Sequence, residues 1–267
     1  QLQSQSNGRL MKPHISFSEL KDWNTCAFYH KLVHHDKLKG FRGNEYTAFG
    51  SAIHTVCEKK LLSEEPIPEN DLFLAEIEKE FEKLLADSVE LNDKLVFDLK
   101  KQGAKIMPHI TPALEEYFSD GYEVLATEEE LMVPIEGSPK KFKGFIDVVL
   151  RTPDGKIHVI DWKSCSWGWD ARKRADPMVV YQLIYYKHFY ALKHGLDPSN
   201  IETHFALLKR TAKDNNVEFF RVTSGAKRTE NALKLLQKAL YNITNSRFIK
   251  NKSSCARCAF RKTEHCP

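Results

Sequence analysis

The chain has 267 residues, enough to bury a sizeable core in one large domain or a domain with an appended subdomain. Lysine and arginine number 40 against 36 acidic residues, and a net charge of +4 is too slight to argue for nucleic acid without regard to where the charges fall. No apolar run approaches the roughly 20 residues that span a bilayer and no charged-then-apolar leader opens the chain, which predicts a soluble protein of the cell interior.

Residues 1–10 are polar and precede Met11, which predicts an expression remnant outside the fold. One domain is expected over 11–267: N-terminal helices at 11–62, a helical insertion at 63–120, a core at 121–245 and a cysteine-rich end at 246–267. The six cysteines are Cys26, Cys57, Cys165, Cys255, Cys258 and Cys266. In a chain this large with no secretion signal, the crowding of three near the end favours metal or cluster ligation over disulfides.

Ser16 with Glu19 three residues later is the reciprocal capping arrangement, predicting a helix over 16–31 with Leu20, Trp23, Cys26 and Ala27 at helical spacing. Cys26 then falls on a half-buried face, where packing and ligation compete as explanations. A second helix is expected over 48–62, with Phe49, Ile53, Val56, Cys57 and Leu61 in one stripe. His54 and Glu58, four apart, share a face, and Gly50 with Ser51 would let another backbone come close. Beyond Pro66 and Pro68, 70–101 reads as a charge-rich helical segment with Leu74, Ile77, Phe81, Leu84 and Leu85 on one face, and 111–118 as a third piece. These read as a helical layer or arm with a solvated charged face.

From Gly121 the pattern changes to period two. Strands are expected at 122–135, which carries Glu128, Glu129 and Glu130, at 141–151 and at 156–164, the last two joined by the turn Pro153, Asp154 and Gly155. The turn sets the register and brings Asp147 opposite or near Asp161. A helix follows at 176–195, with Pro177 near its start, Gly195 at its stop, and Gln182 and Tyr186 four apart. Strands at 201–209 and 217–223 and a helix at 226–245 complete an α/β sandwich on a mixed sheet.

Asp147 follows Phe145 and Ile146, and Asp161 follows Val159 and Ile160. A carboxylate set among such neighbours needs a partner, and Mg²⁺ or Mn²⁺ suits hard oxygen donors. Lys163 lies two residues past Asp161, on the same face of the strand. Two carboxylates and a lysine can supply the water, counter-charge and leaving-group stabilisation of metal-assisted phosphodiester hydrolysis. A buried ion pair is the plainer reading of the same spacing.

With these residues the chain resembles the PD-(D/E)xK nuclease superfamily, in its RecB-like and Cas4-like branch. His54 in FGSAIH matches the family's helix histidine, Gly144 to Asp147 its glycine-x-x-aspartate strand, Asp161-Trp162-Lys163 its acid-x-lysine strand, and Gln182 with Tyr186 its later helix motif. The resemblance implies a restriction-endonuclease-like mixed central sheet flanked by helices, with a helical arm and a cysteine-stapled terminal region. It implies that His54, Asp147 and Asp161 ligate Mg²⁺ or Mn²⁺, that Lys163 acts on the attacking water, and that Gln182 and Tyr186 orient the lysine or the DNA strand. Glu58 is an outer candidate. In iron-sulfur members of the branch, one cysteine near the N-terminus joins three near the C-terminus, and Cys26, Cys255, Cys258 and Cys266 fit that plan for a [4Fe-4S] cluster. Zinc is the rival occupant, with His265 as a replacement ligand. Cys57 and Cys165 are left as packing thiols.

Arg172, Lys173, Arg174, Lys209 and Arg210 are candidates for holding phosphates, and Trp162, Trp167 and Trp169 for stacking on bases, with a core role competing for Trp162. The expectation is a metal-dependent DNA nuclease, an exonuclease on single strands or free ends, in a bacterial or phage-infected cell. The alternatives are a DNA-end-binding subunit of a repair, recombination or spacer-acquisition complex with an idle pocket, and a zinc-stapled structural protein.

Overall fold

The computed structural model describes residues 12–267. The stretch 1–10, expected to be an expression remnant, lies outside the described residues. In chain order the elements are β1 (His14–Ser16), α1 (Phe17–Thr25), α2 (Ala27–His30), α3 (Glu45–Leu62), α4 (Glu69–Ala86), α5 (Asp93–Ile106), α6 (Ile110–Tyr117), β2 (Glu123–Pro134), β3 (Lys141–Arg151), β4 (Ile157–Cys165), α7 (Ala171–Ala175), α8 (Pro177–His194), β5 (Ile201–Lys209), β6 (Val217–Val222) and α9 (Ala226–Thr244).

Local chemistry accounts for most of these boundaries. Asn44 caps α3 by accepting from Tyr46 N and Thr47 N, and Thr47 Oγ1 accepts from Asn44 N in return, so two free donors are satisfied reciprocally. Asp176 accepts from Met178 N ahead of Pro177, and α8 stops at Gly195, whose φ of 63° is the left-handed conformation that glycine adopts without strain.

Three expectations are corrected. The helix over 16–31 is broken: Cys26 is extended at φ −160° and ψ 112°, so α1 ends at Thr25, and beyond α2 the chain loosens into a π turn at Lys31–His35. Only half of the capping box forms. Ser16 Oγ accepts from Glu19 N at 3.2 Å, but the Glu19 carboxylate is buried with Lys12 and His30. The segment 70–101 is two helices, because Ser88 turns left-handed at φ 60° and Asn92 caps a new start by accepting from Leu95 N. Its buried stripe is Phe73, Ile77, Phe81 and Leu84, while Leu74 and Leu85 are exposed.

The described chain divides into two compact units. The smaller comprises residues 12–40, Met132–Gly144 and Leu236–Pro267. In it β1 runs parallel to the start of β3, placing Ile15 beside Phe142, both fully buried. The larger comprises Phe41–Leu131 and Phe145–Leu235. Its strands run β3, β4, β5, β6 with β2 also paired to β3; β3/β4 and β5/β6 are antiparallel and β4/β5 is parallel, the mixed sheet that was expected. α3 to α6 build the core with it: Phe49, Ile53, Phe73, Leu99 and Leu114 pack with Val148, Ile160 and Trp162. α3 touches β4, and α8 touches β4 and β5. No described helix is long and apolar enough to cross a membrane.

Candidate active site

His54, Asp147, Asp161, Lys163, Gln182 and Tyr186 all lie in the larger unit, while Gly144, the first residue of the glycine-x-x-aspartate motif, falls in the smaller. β3 and β4 pair from Val148 opposite Ile160 to Arg151 opposite Ile157. One step further the carboxylate of Asp147 takes over from the backbone: its Oδ2 accepts from Trp162 N at 2.7 Å. A side chain so placed is held by the strand beside it. Asp161 is 2% exposed, and Lys163 Nζ lies 2.6 Å from its Oδ2. That oxygen makes the ion pair but no directed hydrogen bond, so lone-pair capacity remains. Burial pushes the Asp161 carboxyl up to about 6; Lys163 opposes this and the charge of Asp147 adds to it.

α3 brings the third donor. His54 Nδ1 is 3.6 Å from Asp147 Oδ1. Burial works against the imidazolium, but the charge and hydrogen bond of Asp147 together with the charge of Asp161 outweigh it and the pKa is raised. On α8, Gln182 Nε2 donates to Tyr186 Oη at 3.1 Å. The phenol of Tyr186 is pushed up by burial and then by the charge of Asp161, which puts it in the field of the same carboxylates.

A divalent cation fits this donor set. Asp147 and Asp161 offer hard oxygens, His54 a ring nitrogen, and the buried Asp161 carboxylate, held by Lys163 alone at its Oδ2, keeps lone pairs that a cation would use. A cation would hold the Asp161 carboxylate ionised against its burial and would take the place of the imidazolium proton that the neighbouring carboxylates favour.

Sequence reasoning missed Glu128 as part of this neighbourhood. Its backbone sits at φ 49° within β2, strained for a residue with a Cβ. Much of the residue is open to solvent, yet its carboxyl is pushed up by desolvation, then by the charges of Asp147 and Glu58. The triple-glutamate run was a visible signal; the backbone reversal that singles out one member was not.

A second gathering of metal-type donors lies where β4 and β5 run side by side, with His158 beside Glu202 and His204 beside Ile160. Spacing along each strand carried that signal once the parallel register was known. Here the ring atoms already serve one another. Tyr117 Oη is 3.0 Å from His204 Nδ1, His204 Nε2 is 2.9 Å from His158 Nδ1, and His158 Nε2 is 2.8 Å from Thr152 Oγ1, whose hydroxyl donates to Asp154. Lys156 and Arg221 both pair with Glu202 Oε1. Burial holds His204 down to about 3, so the chain of rings is neutral.

In the smaller unit Cys26, Cys255, Cys258 and Cys266 all line one cavity of about 390 Å³. Asn251 N donates to Cys26 Sγ at 3.3 Å, and Asn251 Nδ2 donates to Thr25 O, tying the two distant segments together. The extended Cys26 that breaks the first helix is thus a lining residue of this cavity. His265 does not line it. Cys57 is fully buried, and burial pushes its thiol up; Cys165 is half-buried.

The expected phosphate contacts divide. Arg174 and Lys209 both pair with Glu218; Lys209 is buried and Arg174 half-buried. Arg172 and Lys173 are exposed. Of the tryptophans, Trp162 and Trp169 are buried while Trp167 is 78% exposed.

Comparison with known proteins gives a family match: the model of the PD-(D/E)XK nuclease superfamily matches residues 14–266. No curated protein matches the chain. The crystal structure of SSO0001 is similar at 15% identity and a TM-score of 0.37, covering 78% of this chain and 91% of that one. LHK-Exo in complex with dAMP is similar at 14% identity and a TM-score of 0.28, covering 76% of this chain and 95% of that one. Both likenesses are distant, and the assignment rests on the family match, which extends across nearly all the described residues. The chain therefore belongs to the PD-(D/E)XK nuclease superfamily, which implies a metal-dependent nuclease.

Proposed function

We propose that this protein is a Mg²⁺- or Mn²⁺-dependent deoxyribonuclease that hydrolyses phosphodiester bonds, acting as an exonuclease on single-stranded DNA or DNA ends. The observation that carries the hydrolytic reading is the cluster itself: Asp161, 2% exposed, has Lys163 Nζ 2.6 Å from its Oδ2, and His54 Nδ1 lies 3.6 Å from Asp147 Oδ1. A divalent cation held by His54, Asp147 and Asp161 would supply a Lewis acid and a water of lowered pKa. Lys163 would orient the attacking water and offset the negative charge that grows on the phosphate oxygens. Asp147 keeps its direction through Trp162 N, and Gln182 and Tyr186, hydrogen-bonded to each other, take from the motif resemblance the role of orienting the lysine or the DNA strand. The preference for ends and single strands rests on the motif resemblance to the RecB-like and Cas4-like branch.

Cys26, Cys255, Cys258 and Cys266 are assigned to a structural [4Fe-4S] cluster. Four thiols at one cavity suit it, and a backbone N–H directed at Cys26 Sγ suits a thiolate acceptor. Anaerobically purified protein should be brown and contain iron; a colourless protein with zinc and no iron contradicts the assignment.

The activity is tested with linear single-stranded, linear duplex and circular DNA in Mg²⁺ and in Mn²⁺. Mononucleotides or short products from linear DNA, with circles left intact, are expected. Cleavage of circles overturns the end-dependence, and inertness on all three substrates favours a DNA-end-binding subunit.

A further inference from the structure

We propose that Trp167, Arg210 and Tyr46 form a stacking platform for the unpaired bases of single-stranded DNA, about 12 Å from the metal-binding residues. The inference deepens the nuclease reading and rests on it for the choice of ligand.

Two elements lead away from the carboxylates in the same direction. On α3, Tyr46, Gly50 and His54 are spaced by four residues and form one stripe, so Tyr46 lies about 12 Å from His54 along the helix axis. Beyond the end of β4 at Cys165, Trp167 lies four positions after Lys163, at most about 13 Å along a chain that bends at Ser166 and Trp167. The tracks are linked at two points. A methyl group at Gly50 would lie 3.7 Å from Ser164 Oγ, so helix and strand are adjacent there. Further out, Arg210 bridges them: its guanidinium stacks over the Tyr46 ring at 4.5 Å and donates to Ser166 Oγ at 3.2 Å.

The outer end of this path is rigid and chemically suited to bases. Arg210 N donates to Cys165 O and Thr211 N donates to Ser166 O, fixing the backbone just before Trp167. Just after it, Gly168 adopts φ 130°, a conformation open to glycine, and Trp169 is anchored against Phe205. The Trp167 indole is 78% exposed and Tyr46 is 45% exposed. Arg210 commits its guanidinium to rings and a hydroxyl rather than to a carboxylate, and Arg172 and Lys173 add exposed positive charge on the segment that follows. Aromatic faces with nearby cations bind single strands because every base has a stacking face and every linkage a negative charge. In a blunt duplex the same faces are already stacked.

Binding of a labelled single-stranded oligonucleotide in EDTA tests this without cleavage. Trp167→Ala should raise Kd about tenfold and Trp167→Phe about twofold or less, with melting temperatures unchanged. An oligonucleotide with abasic sites at every internal position should bind wild type and Trp167→Ala equally. The platform is overturned if Trp167→Ala binds the normal oligonucleotide as tightly as wild type, or if the loss persists on the abasic one. Because no metal or cleavage enters the readout, this result is independent of whether the protein proves to be a nuclease.

Discussion

In the larger unit Asp161, at 2% exposure, stands on a strand whose neighbours Ile160 and Trp162 are core residues, while in the smaller unit Cys26, Cys255, Cys258 and Cys266 are all half-exposed. Three of those cysteines lie within or beyond the short 3₁₀ turn Lys252–Arg257, outside any α-helix or strand. The carboxylates are therefore placed by packing that exists before any ligand binds, and their crowding is a burden on the fold. The thiols have little packing of their own, and under the proposed cluster assignment they would take their order from the group they bind. One site draws on stability, and the other would contribute to it.

Four substitutions can break or sharpen this contrast. Lys163→Ala should lower the cleavage rate about 10²–10³-fold, and without metal it should also melt lower, because the buried Asp161 carboxylate loses its ion-pair partner. Cys258→Ser should differ in kind: loss of bound iron, and protease cleavage within 246–267 that the wild type resists. Stable, uncut protein without iron would contradict that dependence. Metal-free Asp161→Asn should melt at or above wild type at pH 8. Its carboxyl, raised from its ordinary value to about 6, makes the folded state less stable as pH rises through that interval. Glu128→Gln should have the smallest effect, a shift of several-fold in the Mn²⁺ concentration for half-maximal rate; no shift would remove Glu128 from the site.

Acid should act on the larger unit through its neutral histidines. His158 and His204 have pKa values held below 6.5, so the unfolded chain binds more protons and stability falls as pH drops below 6.5, for His204 until about 3. Each such group contributes a slope of up to about 1.4 kcal/mol per pH unit. Denaturant melts between pH 4 and 6.5 should show this, with a shallower slope for His204→Gln; equal slopes would mean the rings titrate normally.

The sheet and its motifs were legible because their signals are local. The strand at 141–151 was read to its final residue, and the turn at Pro153 to Gly155 made the meeting of Asp147 and Asp161 an inference from register. Cys26 was read as a helical position because capping and apolar spacing continue through it; the contact with Asn251 that accompanies its extended backbone lies 225 residues away. β1 has three residues, too few for a period to show. Arg174 and Lys209 looked like phosphate ligands because Glu218, which pairs with both, is supplied by a strand that follows them in the chain.

The most direct test of the central claim is a single-turnover assay of labelled single-stranded DNA with wild type and Asp161→Ala, each with Mn²⁺ and with EDTA. Cleavage by wild type in Mn²⁺ alone, with Asp161→Ala at background, is the predicted result. Equal cleavage by the two proteins, or cleavage by wild type in EDTA, would contradict the account.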